Sequence, residues 1–303
     1  MKKARMVLCG MVLVLAFTGC GNRAASGSNF VRVEGGTFEM GRCPSGENVT
    51  PVRSVTVSSF YMGRFPVTQG EWYDVMGTRP SSFNGTNHST GRTVTPTFDW
   101  RNLPVEQVGW YDAIVFANRL SMARGLTLAY ELPNVWPNPT SWSSDLRDWG
   151  AVPTGRNARW DAVRMVAGST GYRLPTEAEW EFAARGGNVC RGNYEFSGGN
   201  AAGVVAWYAG NNGGRTHPVG QLRPNALGLY DMSGNVWEWV WDWYGPYPSV
   251  AETDPVGASS GADRRVFRGG GWVESGRSLR PVHRFSRNPD HRWHSLGFRL
   301  VRS

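Results

Sequence analysis

Gly171–Gly187 reads GYRLPTEAEWEFAARGG, Asn225–Gly245 reads NALGLYDMSGNVWEWVWDWYG, and Arg265–Trp272 reads RVFRGGGW. In the first stretch Thr176 and Glu179 stand three apart behind Pro175, the spacing of a capping box, and Gly186-Gly187 ends the helix that they open. Trp180 and Ala184, four apart, share one face of that helix. In the second stretch Trp237, Trp239, Trp241 and Trp243 alternate with Glu238, Val240 and Asp242, so one face of a strand is heavily aromatic. Such a face serves a core strand, or else a stacking platform for a sugar or a base. In the third, a run of three glycines ends a short strand and opens the last part of the chain.

Working outward, the rest of the sequence has the same grain. Fifteen tryptophans among 39 glycines and 18 prolines describe a loop-rich domain pinned by aromatics, not a helical bundle. Phe30–Met40, FVRVEGGTFEM, predicts a hairpin around Gly35-Gly36. Val55–Tyr61 predicts one further strand. Thr68 and Glu71 form another capping box, closed by Gly77. Trp110, Ala113, Ala117 and Leu120 line one helical face, with Gly125 as the stop. Between Glu131 and Gly168 the chain predicts a long surface excursion ordered by tryptophans. Short helices among antiparallel strands make the class α+β, and no break in composition divides residues 30–303.

The first residues are of another kind. Lys2, Lys3 and Arg5 precede the apolar run Met6–Thr18, which ends at Thr18-Gly19-Cys20. That is a secretory signal over residues 1–19 with a lipobox, so Cys20 is the expected lipidation site. The run is too short for a comfortable transmembrane helix, which needs about 20 residues. Residues 20–29, rich in Ser, Gly, Ala and Asn, read as a tether. The chain is expected to be exported and held as a lipoprotein on the outer surface of a bacterial cell. No lysine follows Lys3, which excludes a Schiff-base or P-loop lysine from the exported chain. Its positive charge is all arginine without a dense run, so a nucleic-acid partner is not expected. Cys43 and Cys190 remain, and the sequence leaves open whether they pair.

Taken together the three blocks, with Phe60-Tyr61-Met62, Pro66-Val67-Thr68 and Pro104-Val105 leading to Trp110-Tyr111-Asp112-Ala113, resemble the formylglycine-generating enzyme (sulfatase-modifying factor) family. The resemblance runs from Phe30 to Arg302 and implies that family's C-type lectin fold. The enzymes of the family hold copper(I) on two cysteine thiolates after the RGG turn, a soft ion on soft ligands. The corresponding positions here are Glu274 and Leu279, and no cysteine follows Cys190. The resemblance therefore implies the scaffold without the copper and without the oxidase chemistry. It also implies a structural calcium ion on the carboxylates of Asp231 and Glu238 and the carbonyls of Gly234 and Val236, an all-oxygen set suited to a hard cation. The residues alone leave another arrangement open, with Glu238 on an arginine and Asp231 capping a turn.

The remaining constellation is the C-terminal segment, residues 264–302. Val273, Glu274, Ser275, Arg277, Ser278, His283, Phe285, Arg287, Asn288, His291, Trp293, His294 and Ser295 mix aromatics, arginine, histidine and small polar groups as binding interfaces do. Arg268, Gly269, Gly270, Arg280, Arg284, Pro289, Gly297, Phe298 and Arg299 read as the frame around them. His291 and His294 would need a helix to share a metal, and Pro289-Asp290 predicts a loop there. The segment also resembles the variable region of retroelement-diversified ligand-binding proteins that use the same C-type lectin fold. The function expected is non-catalytic binding of a protein or glycan ligand at the cell surface, by a monomer. The alternatives are an active formylglycine-generating oxidase and a structural envelope lipoprotein.

Overall fold

The computed structural model describes residues 29–84, 86–87, 92–93, 99–134, 141–190, 192–258 and 263–303. The leader, Cys20 and nearly all of the tether lie outside the described residues. The elements that place the site are β1 (Phe30–Val33), β2 (Gly36–Met40), β3 (Arg53–Val57), β4 (Phe60–Gly63), α1 (Gln69–Met76), α2 (Trp110–Ala123) and β5 (Tyr130–Pro133). They continue with α3 (Glu177–Ala184), β6 (Trp237–Trp243), β7 (Arg265–Arg268), β8 (Arg284–Arg287), β9 (Leu296–Phe298) and β10 (Val301–Arg302).

The three helices start where their caps dictate. Thr68 and Thr176 each accept the N–H three residues on, and Glu71 and Glu179 return the bond to the cap backbone. Gly77 adopts the left-handed conformation that closes α1. Before α2, the Gly109 N–H donates to Asp112 Oδ2 at 2.8 Å.

A four-stranded sheet, in the order β8-β7-β6-β9, forms the centre. β6 runs antiparallel to β7 and parallel to β9. Its period-two pattern sorts side chains between two cores. Trp237, Trp239, Trp241, Phe267 and Phe298 pack with Trp110, Ile114 and Phe116 of α2. Val240 and Val266 pack on the other side with Ala178, Trp180 and Phe182 of α3. Trp237, Trp239 and Trp241 are thus core, as the strand reading expects, Trp243 is half-buried, and Trp239 and Trp110 satisfy their ring N–H groups on the Val108 and Val240 carbonyls.

Two local expectations fail. Phe30–Met40 is not a hairpin: β1 pairs with β4, whereas β2 pairs with β3. Val55–Tyr61 is not one strand either, since it breaks at Ser58-Ser59 between β3 and β4. Both segments change sheets at the same level. There Ser59 Oγ accepts the Gly35 N–H at 2.9 Å, and Asp254 accepts the Ser58 N–H and hydroxyl at 2.6 Å each. A Cβ on Gly35 would lie 2.5 Å from the Val57 carbonyl oxygen, so the crossing needs a glycine there. The excursion after Glu131 is more regular than expected. It holds β5 in a small three-stranded sheet, with Trp149 and Trp160 buried edge to face at 5.5 Å.

Candidate functional site

The turn that opens the C-terminal segment is fixed from beneath. Gly269 and Gly270 both have positive φ, 98° and 76°. A Cβ on Gly270 would meet the Ser278 carbonyl oxygen at 2.8 Å and Leu279 at 2.9 Å. Below the turn Arg268, fully buried, donates to Glu177 and to Glu181 at 2.6 Å each. Arg284 makes a two-pronged bond to Glu177 at 2.7 and 2.8 Å, and the Tyr247 hydroxyl adds a third partner at 3.0 Å. Burial alone would lower the Arg268 pKa, but Glu177 and Glu181 outweigh it and raise it. Arg265, next but two along β7, is buried differently. Its guanidinium lies 3.5 Å from the Trp243 ring centre and 3.7 Å from that of Trp110, and burial pushes its pKa down to about 9.

The two positions that match the copper thiolates are occupied by other chemistry. The Glu274 carboxylate accepts the Trp237 ring N–H at 3.3 Å, and its main-chain carbonyl accepts Ala209 N–H at 2.9 Å. Leu279 is fully buried in an apolar cluster with Phe196, Val205 and Ala206. Cys43 and Cys190 are both free thiols. A copper ion has no soft ligand at either position.

The other segment residues divide among three settings. Around Trp237, His283 lies tilted at 5.9 Å and Phe285 at 6.2 Å, with the Arg287 guanidinium 4.8 Å above the Phe285 ring. Burial, followed by Arg268, Arg277 and Arg280, pushes the His283 pKa down to about 4, so this ring is neutral at pH 7. Around Trp272, His294 lies at 5.2 Å and Phe83 meets the ring edge-on at 5.3 Å; Trp293 and His291 extend the row. Arg277 turns aside to Glu47, at 2.8 Å. Val273 and Ser278 are half-buried, and Ser275 and Asn288 are exposed. Ser295 is a correction: it is fully buried, with its carbonyl accepting the Trp237 N–H at 2.7 Å. It therefore belongs to the frame, because the segment re-enters the core one residue before β9. His291 and His294 sit in a loop, and no group of three metal-binding side chains occurs among the described residues.

Sequence reasoning missed the residues that back this face from distant parts of the chain. Phe83 abuts Trp272, Asn212 donates to the Trp272 carbonyl at 2.7 Å, and the Gln107 N–H donates to the Trp293 carbonyl at 3.0 Å. Beside them Glu106 is fully buried with one oxygen accepting the Phe83 N–H at 3.0 Å. Its other oxygen finds no partner among the described residues. Burial pushes its pKa up to about 7. Only the polar character of Glu106 between Val105 and Val108 marks the place in the sequence.

The calcium set does not fit a cation in this arrangement. Both Glu238 oxygens face the Arg299 guanidinium at 2.7 Å, and one also accepts the Trp180 ring N–H at 2.7 Å. Asp231, at positive φ, accepts the Gly220 N–H at 2.8 Å and the Asn235 amide at 3.3 Å. Burial raises its pKa to about 6, against the lowering effect of Gly220 and Arg299. The ion pair and the capped turn, the other arrangement open to these residues, account for both carboxylates.

Comparisons with known proteins agree with this scaffold. Residues 17–303 match the model of the sulfatase-modifying factor enzyme 1-like domain. The chain is 35% identical to a chaperone protein, LppX, of Paenibacillus barcinonensis over 87% of each sequence. It is 30% identical to the inactive C-alpha-formylglycine-generating enzyme 2 of Bos taurus, over 90% of this chain and 87% of that one. Among solved structures, Treponema denticola variable protein 1 superposes with a TM-score of 0.76 at 34% identity, covering 90% of this chain and 94% of that one. The chain belongs to the sulfatase-modifying factor (formylglycine-generating enzyme) family and has its fold.

Proposed function

We propose that this member of the family is a non-catalytic ligand-binding protein, which presents the C-terminal segment on a fixed frame. The observation that carries the reading is Leu279, an aliphatic core residue at a position where the chemistry needs a thiolate. Around it Arg268, Gly269, Gly270, Phe298 and Arg299 of the frame are buried, while Ser275, Phe285, Arg287, Asn288 and Trp293 reach the surface. Aromatics and arginine beside small polar groups are the makings of an adaptable interface. Relatives named as inactive and as a variable protein are compatible with a non-catalytic role. The ligand is a protein or a glycan, the chain acts as a monomer, and acylated Cys20 holds it on the cell surface. Two acyl chains or more on one cysteine anchor far more firmly than one.

Two measurements test this. Incubation with copper and a CxPxR peptide should leave the peptide cysteine unchanged by mass spectrometry; conversion to formylglycine overturns the reading. The second compares the wild type with a variant carrying alanine at Ser275, His283, Arg287, His291 and His294, on a glycan array and on a displayed protein library. The change at exposed Ser275 should cost within about 0.5 kcal/mol of stability and those at the four half-buried positions about 1 kcal/mol each, while the capture shown by the wild type should be lost in the variant. Equal capture by both would place binding elsewhere.

A further inference from the structure

β8 is the end strand of the central sheet and, among the described residues, pairs only with β7. The register lines up four aromatic residues across the sheet. Phe298 stands opposite Trp239, Trp239 opposite Phe267, and Phe267 opposite Phe285. The first three are fully buried under α2, but Phe285 is 39% exposed. Neighbouring rings stay in touch to the end of the row, at 5.1 Å between Trp239 and Phe267 and 5.5 Å between Phe267 and Phe285. The row runs out of the core and stops at an open strand edge.

Two positions along the same face, Arg287 caps the Phe285 ring. Its guanidinium donates to the neighbouring Ser286 carbonyl, at 3.3 Å, and forms no ion pair among the described residues. Arg284, on the opposite face of the same strand, is saturated by Glu177. The edge thus offers main-chain groups, an aromatic surface and one uncompensated cation, spaced as alternate side chains of a strand. A second copy of the chain is a poor occupant, because β8 itself carries two arginines and no carboxylate, so self-pairing would bring Arg287 no counter-charge.

We propose that the ligand is an extended polypeptide segment that adds to the free edge of β8 as a fifth strand. It places an aromatic or apolar side chain beside Phe285 and a carboxylate two residues away beside Arg287. Main-chain pairing supplies affinity, and the alternate side chains supply selectivity. This rests on the ligand-binding reading above and narrows it to an acidic, aromatic peptide.

The probe is a blocked, fluorescent peptide of sequence Ser-Thr-Val-Thr-Phe-Thr-Glu-Thr-Ser, titrated onto the whole protein. Two further versions carry N-methyl groups on one or the other alternate set of amides. Strand addition uses only the amides that face β8, so one N-methylated version should bind as the parent does and the other should not bind. Arg287→Glu should weaken the parent peptide about tenfold or more, and should favour the version with Lys in place of Glu, at an unchanged melting temperature. Phe285→Ser should weaken both. Equal binding of the two N-methylated peptides, indifference to Arg287→Glu, or no saturable binding up to about 1 mM overturns the proposal. If the glycan array or display library is captured through His291 and His294 while β8 variants bind normally, the ligand-binding function stands and the edge-strand proposal falls. Loss of all capture differences between wild type and the five-alanine variant removes the function itself.

Discussion

Arg268 and Arg265 stand three residues apart on β7 and are both buried, yet the two faces of the sheet hold them by different means. On the α3 face Arg268 meets the carboxylates of Glu177 and Glu181. On the α2 face Arg265 lies between indole rings, gives one bond to the Trp241 carbonyl, and has two nitrogens without partners. The first is charge matched by charge, so its neighbours depend on it. The second is charge tolerated by π-systems, so its neighbours would survive its loss.

The sharpest break in that contrast is Arg268→Leu. It takes one guanidinium from two buried carboxylates, Glu177 keeping Arg284 and Glu181 keeping Arg185, and should cost about 3 kcal/mol, read from denaturant unfolding or as failure to fold. A loss under about 1 kcal/mol would show that the network does not hold the turn.

Glu106 is a buried carboxyl with neither kind of partner, and so it should respond to pH. Its folded pKa, about 7, lies above the ordinary carboxylate value. The folded state therefore holds a proton that the unfolded chain releases, and the resulting stability is complete below about pH 4.5 and lost as pH rises through 7. Asp231, raised to about 6, and Asp242, raised to about 8 by burial and then Glu177, act with the same sign. Comparison with Glu106→Gln isolates the one group. Between pH 5 and pH 8 the wild type should lose more stability than the variant, by on the order of 2 kcal/mol. Parallel pH profiles would mean that Glu106 stays ionised against a partner.

Arg265→Leu should cost only about 1–2 kcal/mol, since losing a cation–π contact is offset by removing unsatisfied donors. A cost equal to that of Arg268→Leu would erase the distinction between the two faces. Smallest of all is the effect of calcium. With Arg299 already on Glu238, saturating calcium should move the unfolding free energy by less than about 0.5 kcal/mol. Binding only the folded state would otherwise raise the midpoint by mass action. A clear rise that Asp231→Ala abolishes would show that the ion competes successfully with the guanidinium.

What the sequence disclosed follows the range of the interaction. Thr68 with Glu71, Thr176 with Glu179, and the alternation from Trp237 to Trp243 are local signals, and each produced its element. The paired strands Phe30–Met40 and Val55–Tyr61 misled because local alternation cannot say which sheet a strand joins. That choice rests on Gly35 meeting Ser59 and on Asp254, about two hundred residues away in the sequence. At the site, the RGG frame and the missing thiolates were legible from motif spacing. Ser295 was not, because its burial depends on where the loop returns. Nor were Phe83, Glu106 and Glu47, whose roles exist only through contacts across the fold.

The ion pair of Glu238 with Arg299, and the pairing of Val301 with Met62, place two closing contacts within the last five residues. The exposed segment ahead of them is therefore held on both sides, by the Gly269-Gly270 turn and by these contacts. Any frameshift or stop codon between Val273 and Ser295 would delete both contacts, whereas an in-frame exchange at an exposed position would delete neither.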